Sequence, residues 1–195
     1  MILALDSSAA RGSVALVEGG ETVREIFVDT PRGRGGALFA ALENILRADP
    51  VLERVVTGTG PGSYNGVRAA LAGGWGIAQA RGIPFVGVCS LLGLAEGEYC
   101  AVGDARRGQY YYARISGGTM VAEPVLLTPE AVLERIGNRR VLVPAPVDFL
   151  PDAELAQPSA ARLARLAPEH AAGLPEPLYL KAPYITEQRK APPRG

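Results

Sequence analysis

The stretch Gly58-Thr59-Gly60-Pro61-Gly62-Ser63-Tyr64-Asn65-Gly66-Val67-Arg68 holds residue types and spacings that could do chemistry. Gly58, Gly60 and Gly62 permit a backbone path closed to larger residues, and Pro61 fixes one turn within it. The small-residue run from Val67 to Gln79 predicts a helix, with Ser63 as its candidate N-cap. Such a loop offers backbone N–H groups at a helix N-terminus, a site suited to anions and phosphate in particular. The same residues would equally serve as a tight strand-to-helix turn packed against a neighbour.

Asp6, followed by Ser7 and Ser8, ends the apolar run Ile2-Leu3-Ala4-Leu5, and Asp104 ends a second such run. Carboxylates at two strand ends can hold Mg²⁺ through water while Ser7, Gly60, Gly62 and Ser63 meet a phosphate. Alternatively, each aspartate closes its own turn through its side chain. No Gly-x-x-x-x-Gly-Lys-Ser/Thr sequence accompanies them. The chain has one histidine, His170, and two cysteines, Cys89 and Cys100, so histidine-rich and four-cysteine metal sites have no ligands. A Ser-His-Asp triad would rest on His170 alone, which reads as a surface residue.

The absence of any Cys-x-x-Cys pair points to a reducing compartment, the cytoplasm. A zero formal net charge gives no electrostatic case for a free-standing nucleic-acid or membrane binder. The N-terminus lacks the basic and apolar regions of a signal peptide, and no run of about 18 apolar residues predicts a membrane span.

The elements that must position these residues follow from pattern. Apolar runs at 2–5, 13–17 and 22–29, joined by turn residues, predict an antiparallel meander. Leu38, Leu42, Ile45 and Leu46 recur at helical spacing over 37–48. Strands are predicted at 54–57 and 85–89, Gly82 ends the helix after the glycine loop, and Ser90 caps a short helix through Leu94. Gly73, Gly74 and Gly76 lie inside the glycine-loop helix, where each costs about 0.5–1 kcal/mol relative to alanine. Their presence predicts close packing, within the fold or against a partner helix.

Strand, aspartate, Arg-Gly turn, strand and Gly-Gly recur in the same order from residue 98, predicting a duplicated lobe. That lobe continues with a third strand to Leu127, a helix over 129–136 and a strand over 140–143. No glycine loop follows, only Pro144-Ala145-Pro146, then a helix over 159–166 and an extended stretch over 175–184. The expected architecture is α/β with mixed sheets in two lobes, 1–97 and an abbreviated 98–187. Residues 188–195, rich in proline and charge, read as a frayed tail.

Ile2-Leu3-Ala4-Leu5-Asp6-Ser7-Ser8, Gly60 through Arg68, Gly87-Val88-Cys89-Ser90-Leu91, Asp104 through Tyr111 and Pro177-Leu178-Tyr179-Leu180-Lys181 together resemble the TsaB (YeaZ-type) family. The resemblance spans most of the chain in order. It implies an actin/Hsp70/sugar-kinase-like fold and a non-catalytic subunit in formation of tRNA N6-threonylcarbamoyladenosine. It also implies pairing with a catalytic TsaD-like paralogue and a TsaE-like ATPase, tRNA being met only through the complex. The first helices of the family form the contact with TsaD, which makes Leu38, Leu42, Ile45, Gly73 and Gly74 the expected interface; alone, the chain could form a homodimer. No metal, no cofactor and no membrane partner are expected, and Asp6, Ser7, Gly60, Gly62 and Ser63 would be a vestigial nucleotide loop with at most weak binding. Two features depart from the family: Arg32-Gly33-Arg34-Gly35-Gly36 replaces its His-Ser segment, and Asn65 its usual threonine. Competing readings are an active small-molecule kinase or ATPase of the same fold and a glycoprotease-like peptidase.

Overall fold

The computed structural model describes residues 1–29, 36–168 and 174–180. His170, residues 32–35 of the Arg32–Gly36 departure, residues 181–184 of the predicted extended stretch and the 188–195 tail lie outside the described residues. Strands β1 (Ile2–Asp6), β2 (Arg11–Glu18) and β3 (Glu21–Asp29) form the meander. Gly19 and Gly20 turn β2 into β3 with φ of 57° and 86°, the left-handed region glycine enters without strain. Strands β4 (Arg54–Gly58) and β5 (Phe85–Val88) add in parallel, giving the order β3-β2-β1-β4-β5.

Side chains alternate across these strands. Leu3, Leu5, Val14, Leu16 and Val55 face helices α1 (Gly36–Leu46) and α2 (Tyr64–Arg81), meeting Leu38, Leu42, Ile45, Val67 and Leu71. Ala4, Ala15, Val17, Val56, Val86 and Val88 line the opposite face. There they pack against Ala160, Ala161, Leu163 and Ala164 of helix α4 (Ala160–Leu166). Alanines on both sides bring this late helix close to the first sheet, although its sequence position falls within the span 98–187. The Ser13 hydroxyl anchors it, donating to the Pro158 carbonyl and accepting from the Ala160 N–H at 2.8 Å.

The second sheet contains β6 (Tyr99–Asp104), β7 (Tyr110–Ser116), β8 (Thr119–Leu127), β9 (Val141–Val143) and β10 (Glu154–Leu155), with α3 (Pro129–Ile136) joining β8 to β9. Its order, β10-β9-β6-β7-β8, repeats that of the first sheet strand for strand. The sequence reading ends this repeat at the fourth strand. The fifth, β10, has only two residues, too few to alternate visibly, and is reached through irregular chain rather than a helix. What the second lobe lacks is a helix and a glycine loop, not a strand.

Helix α2 begins three residues earlier than its apolar pattern suggests, because the Ser63 hydroxyl accepts the Gly66 N–H and extends the first turn. It ends at Gly82, whose φ of 62° allows its N–H to reach the carbonyls of Ala78 and Gln79. Ser90 does not cap the short 3-10 turn Ser90–Gly93; its hydroxyl is turned to the glycine loop.

Candidate functional site

The glycine loop folds directly onto the turn after β1. The Ser63 N–H donates to the Ser8 carbonyl at 2.7 Å, and a Cβ on Gly62 or Gly66 would fall on the carbonyl of Ser8 or Ser7. A Cβ on Gly58 would strike the Asp6 carboxylate. These glycines therefore serve an approach of two backbones and a carboxylate, and the structure gathers Asp6, Ser7, Gly60, Gly62 and Ser63 in one place.

Asp6 is wholly buried, at 0% exposure. One oxygen accepts the Ser8 N–H and hydroxyl, each at 2.8 Å, and the other accepts the Ser90 hydroxyl at 2.5 Å. Ser90 in turn accepts the Gly60 N–H at 2.8 Å. Burial pushes the Asp6 carboxyl above its ordinary range, and the hydrogen bonds from Ser90 and Ser8 pull it partly back. The cluster ties β1, the glycine loop and the chain after β5 together.

Of the two readings of the strand-end aspartates, the turn-closing one describes Asp104. Tyr99 and Ala101 share a face of β6 with Tyr111, while Cys100 and Val102 face the α3 side. Gly103 stands under the Tyr111 phenol, and Asp104, at the end of the strand, borders one cavity with Gly62 and Tyr111. Asp104 closes its own turn, accepting the Arg106 N–H at 2.6 Å and pairing with the Arg106 guanidinium at 3.2 Å. Among the described residues, no group of three His, Cys, Asp or Glu side chains is placed to hold a metal ion. No described helix is long and apolar enough to cross a membrane.

Residues 174–180 cross the mouth between the two sheets. The Leu178 N–H donates to the Thr59 carbonyl at 2.8 Å, Pro175 covers Gly87, and Leu180 packs against the core of the second sheet. Tyr179 stacks on Tyr64 with centroids 5.4 Å apart, and its hydroxyl accepts the Arg68 Nε hydrogen bond at 2.7 Å. The Arg68 guanidinium lies 4.0 Å from the Tyr64 ring centroid. Beneath lies a cavity of about 230 Å³ bounded by Gly62, Tyr64, Tyr111, Leu178 and Tyr179.

The outer surface of α1 and α2 is a separate feature. Leu38 and Ile45, at 0% and 1% exposure, point into the sheet, and a Cβ on Gly74 would meet Thr57 and Phe85 at 2.6 and 2.9 Å. These three expected interface residues are used up by the chain's own core. Leu42 borders the surface, and Gly73 faces it beneath the Phe39 ring. The apolar groove there, about 420 Å³, is lined by Phe39, Leu42, Glu43, Leu46, Arg47 and Ile77. Phe39 and Trp75 remain 42% and 46% exposed. The sequence signal is Phe39, an aromatic residue one position off the stripe of Leu38, Leu42 and Ile45.

A doubled mixed sheet with a glycine turn entering its second helix defines a protein of the actin/Hsp70/sugar-kinase-like fold. Residues 39–148 match the family model described as TsaD: tRNA N6-adenosine threonylcarbamoyltransferase. The chain belongs to this family, as a member of the TsaB (YeaZ) type. The tRNA threonylcarbamoyladenosine biosynthesis protein TsaB of Escherichia coli is 32% identical over 152 residues, 69% of this chain and 65% of that protein. The Bacillus subtilis protein of the same name is 31% identical over 120 residues, 56% of this chain and 52% of its own. The chain spans less than half the length of the uncharacterized mycobacterial proteins it matches, from 23% in Mycobacterium leprae to 44% in Mycobacterium tuberculosis. Among solved structures, YeaZ from Pseudomonas aeruginosa superposes with a TM-score of 0.68 at 25% identity, over 85% of this chain and 89% of that one.

Proposed function

We propose that this chain is the TsaB-type accessory subunit in formation of N6-threonylcarbamoyladenosine in tRNA, and that it performs no chemistry itself. It pairs with a TsaD-like catalytic paralogue through the outer face of α1 and α2, a TsaE-like ATPase joins the pair, and tRNA is met through the complex. In the absence of its partner the same face pairs two copies. The names of the Escherichia coli and Bacillus subtilis relatives support the pathway. The observation that carries the role is the apolar groove at Phe39, Leu46 and Ile77, with Phe39 42% exposed. A core-facing helix normally turns polar residues outward, so aromatic and aliphatic side chains there suit a partner. Asp6, the carboxylate buried against the glycine loop, accepts hydrogen bonds from Ser8 and Ser90, and Asp104 pairs with Arg106, which supports a structural use for the loop.

Phe39→Asp and Ile77→Asp are expected to leave the chain folded and to lower recovery of a co-expressed TsaD-like partner at least tenfold in pull-down. Unchanged recovery with both would overturn the interface, and ATP turnover by the purified chain would overturn the non-catalytic reading. Gly76 gives a sharper separation, because a Cβ there meets nothing within 4 Å in the chain itself. Gly76→Ala is expected to raise stability to denaturant by about 0.5–1 kcal/mol through helix propensity. The same methyl group would hold a docked helix away, so partner affinity should fall while stability rises.

A further inference from the structure

We propose that residues 174–180 form a strap that opens as a unit and gates the cavity between the two sheets. The strap belongs to no strand or helix. It touches the first sheet through Leu178 and Pro175 and the second through Leu180, so it bridges the mouth of the cleft. Its clasp is the Tyr64–Arg68–Tyr179 stack, which lies at the rim, with both tyrosine rings substantially exposed. Contacts of this kind open at far lower free energy than the buried sheets, so the strap has its own local equilibrium within the folded chain. Opening uncovers the cavity walls at Gly62 and Tyr111 and the backbone of the glycine loop. Tyr64 and Arg68 belong to the first turns of α2, so the same motion releases the side chains that clasp this helix from the strap.

Two cysteines report on the strap without any added probe group. Cys89 follows β5 behind the strap, its thiol donating to the Gly60 carbonyl at 3.3 Å. Burial pushes this partly covered thiol up to about 12, so labelling of the closed form is slow near pH 8 and a faster rate reports opening. Cys100 is fully buried in the second sheet and serves as the control for global unfolding. The experiment labels the full chain with iodoacetamide and resolves each cysteine by peptide mass spectrometry. Tyr179→Ala and Arg68→Ala are each expected to speed labelling of Cys89 at least tenfold without changing Cys100, and Tyr179→Phe, which keeps the ring stack, should fall between. A Cys89 rate within twofold of wild type in both alanine variants, or Cys89 and Cys100 rising together, would overturn the strap. Should Tyr179→Ala fail to fold, Arg68→Ala, a substitution at an exposed residue, decides alone. This outcome is independent of the proposed partner, because the isolated chain is measured.

Discussion

Gly66→Ala is expected to abolish folding, leaving insoluble or fully protease-sensitive protein where wild type is soluble. The added methyl group would sit on the Ser7 carbonyl, a backbone atom pinned between β1 and the glycine loop. Neither side can yield without breaking the Ser63 N–H to Ser8 carbonyl bond or the helix N-cap. Overpacking that ordinary side chains relieve costs about 1–3 kcal/mol, and backbone that cannot move exceeds it. The measurement is denaturant unfolding set against Gly76→Ala, the same substitution ten residues later on the open face of the same helix. If Gly66→Ala kept a cooperative transition within about 1 kcal/mol of wild type, the close approach of loop and turn would be wrong.

Asp6→Ala is expected to lower stability by about 2–4 kcal/mol, because it strands the Ser8 N–H, the Ser8 hydroxyl and the Ser90 hydroxyl in a buried space. The loss is limited because a desolvated carboxylate disappears with its acceptors. The pH dependence carries the sign. Burial raises the Asp6 carboxyl in the folded state above its unfolded value, so the folded chain holds this proton more tightly. Between the two values the folded state binds more protons, and the Asp6 contribution to stability falls as pH rises through the folded value, then levels off. Asp6→Asn, fixed in the neutral form, should lack this component. Comparing the two unfolding free energies from pH 4 to 7 checks it, and a difference that grew with pH would reverse the assignment.

Alternation and turn chemistry made both halves of the fold readable, and Asp6-Ser7-Ser8 with Gly58–Arg68 marked the place where they meet. The glycines read equally as room for a phosphate and as a turn packed against a neighbour, and Gly58, Gly62 and Gly66 make room for Asp6, Ser8 and Ser7 of the same chain. A sequence shows that a position tolerates close approach without showing what approaches. Asp104 illustrates a second limit. Its place after an apolar run matches that of Asp6, yet Asp6 is buried under Ser8 and Ser90. Asp104 instead pairs with Arg106 at the edge of the cavity it shares with Gly62, a difference in burial that spacing does not display. Leu38 and Ile45 marked the helix that faces the sheet, and the surface residue Phe39 was hidden among them by being equally apolar. Arg68 and Tyr179 are 111 residues apart, and nothing local announces their bond.

The packing of α4 on the first sheet sets the order in which this protein can become finished during synthesis. Residues 2–88 supply all five strands of that sheet, but its second apolar face stays bare until residues 160–166 leave the ribosome. Through that interval Ala4, Ala15, Val56, Val86 and Val88 lack the α4 residues that complete their cluster and have only Leu92 from beyond the sheet in their own half, a condition that invites chaperones or wrong contacts. The two halves of the duplicated architecture are therefore not two independent folding units: the first is completed by a helix that the ribosome delivers after the second sheet.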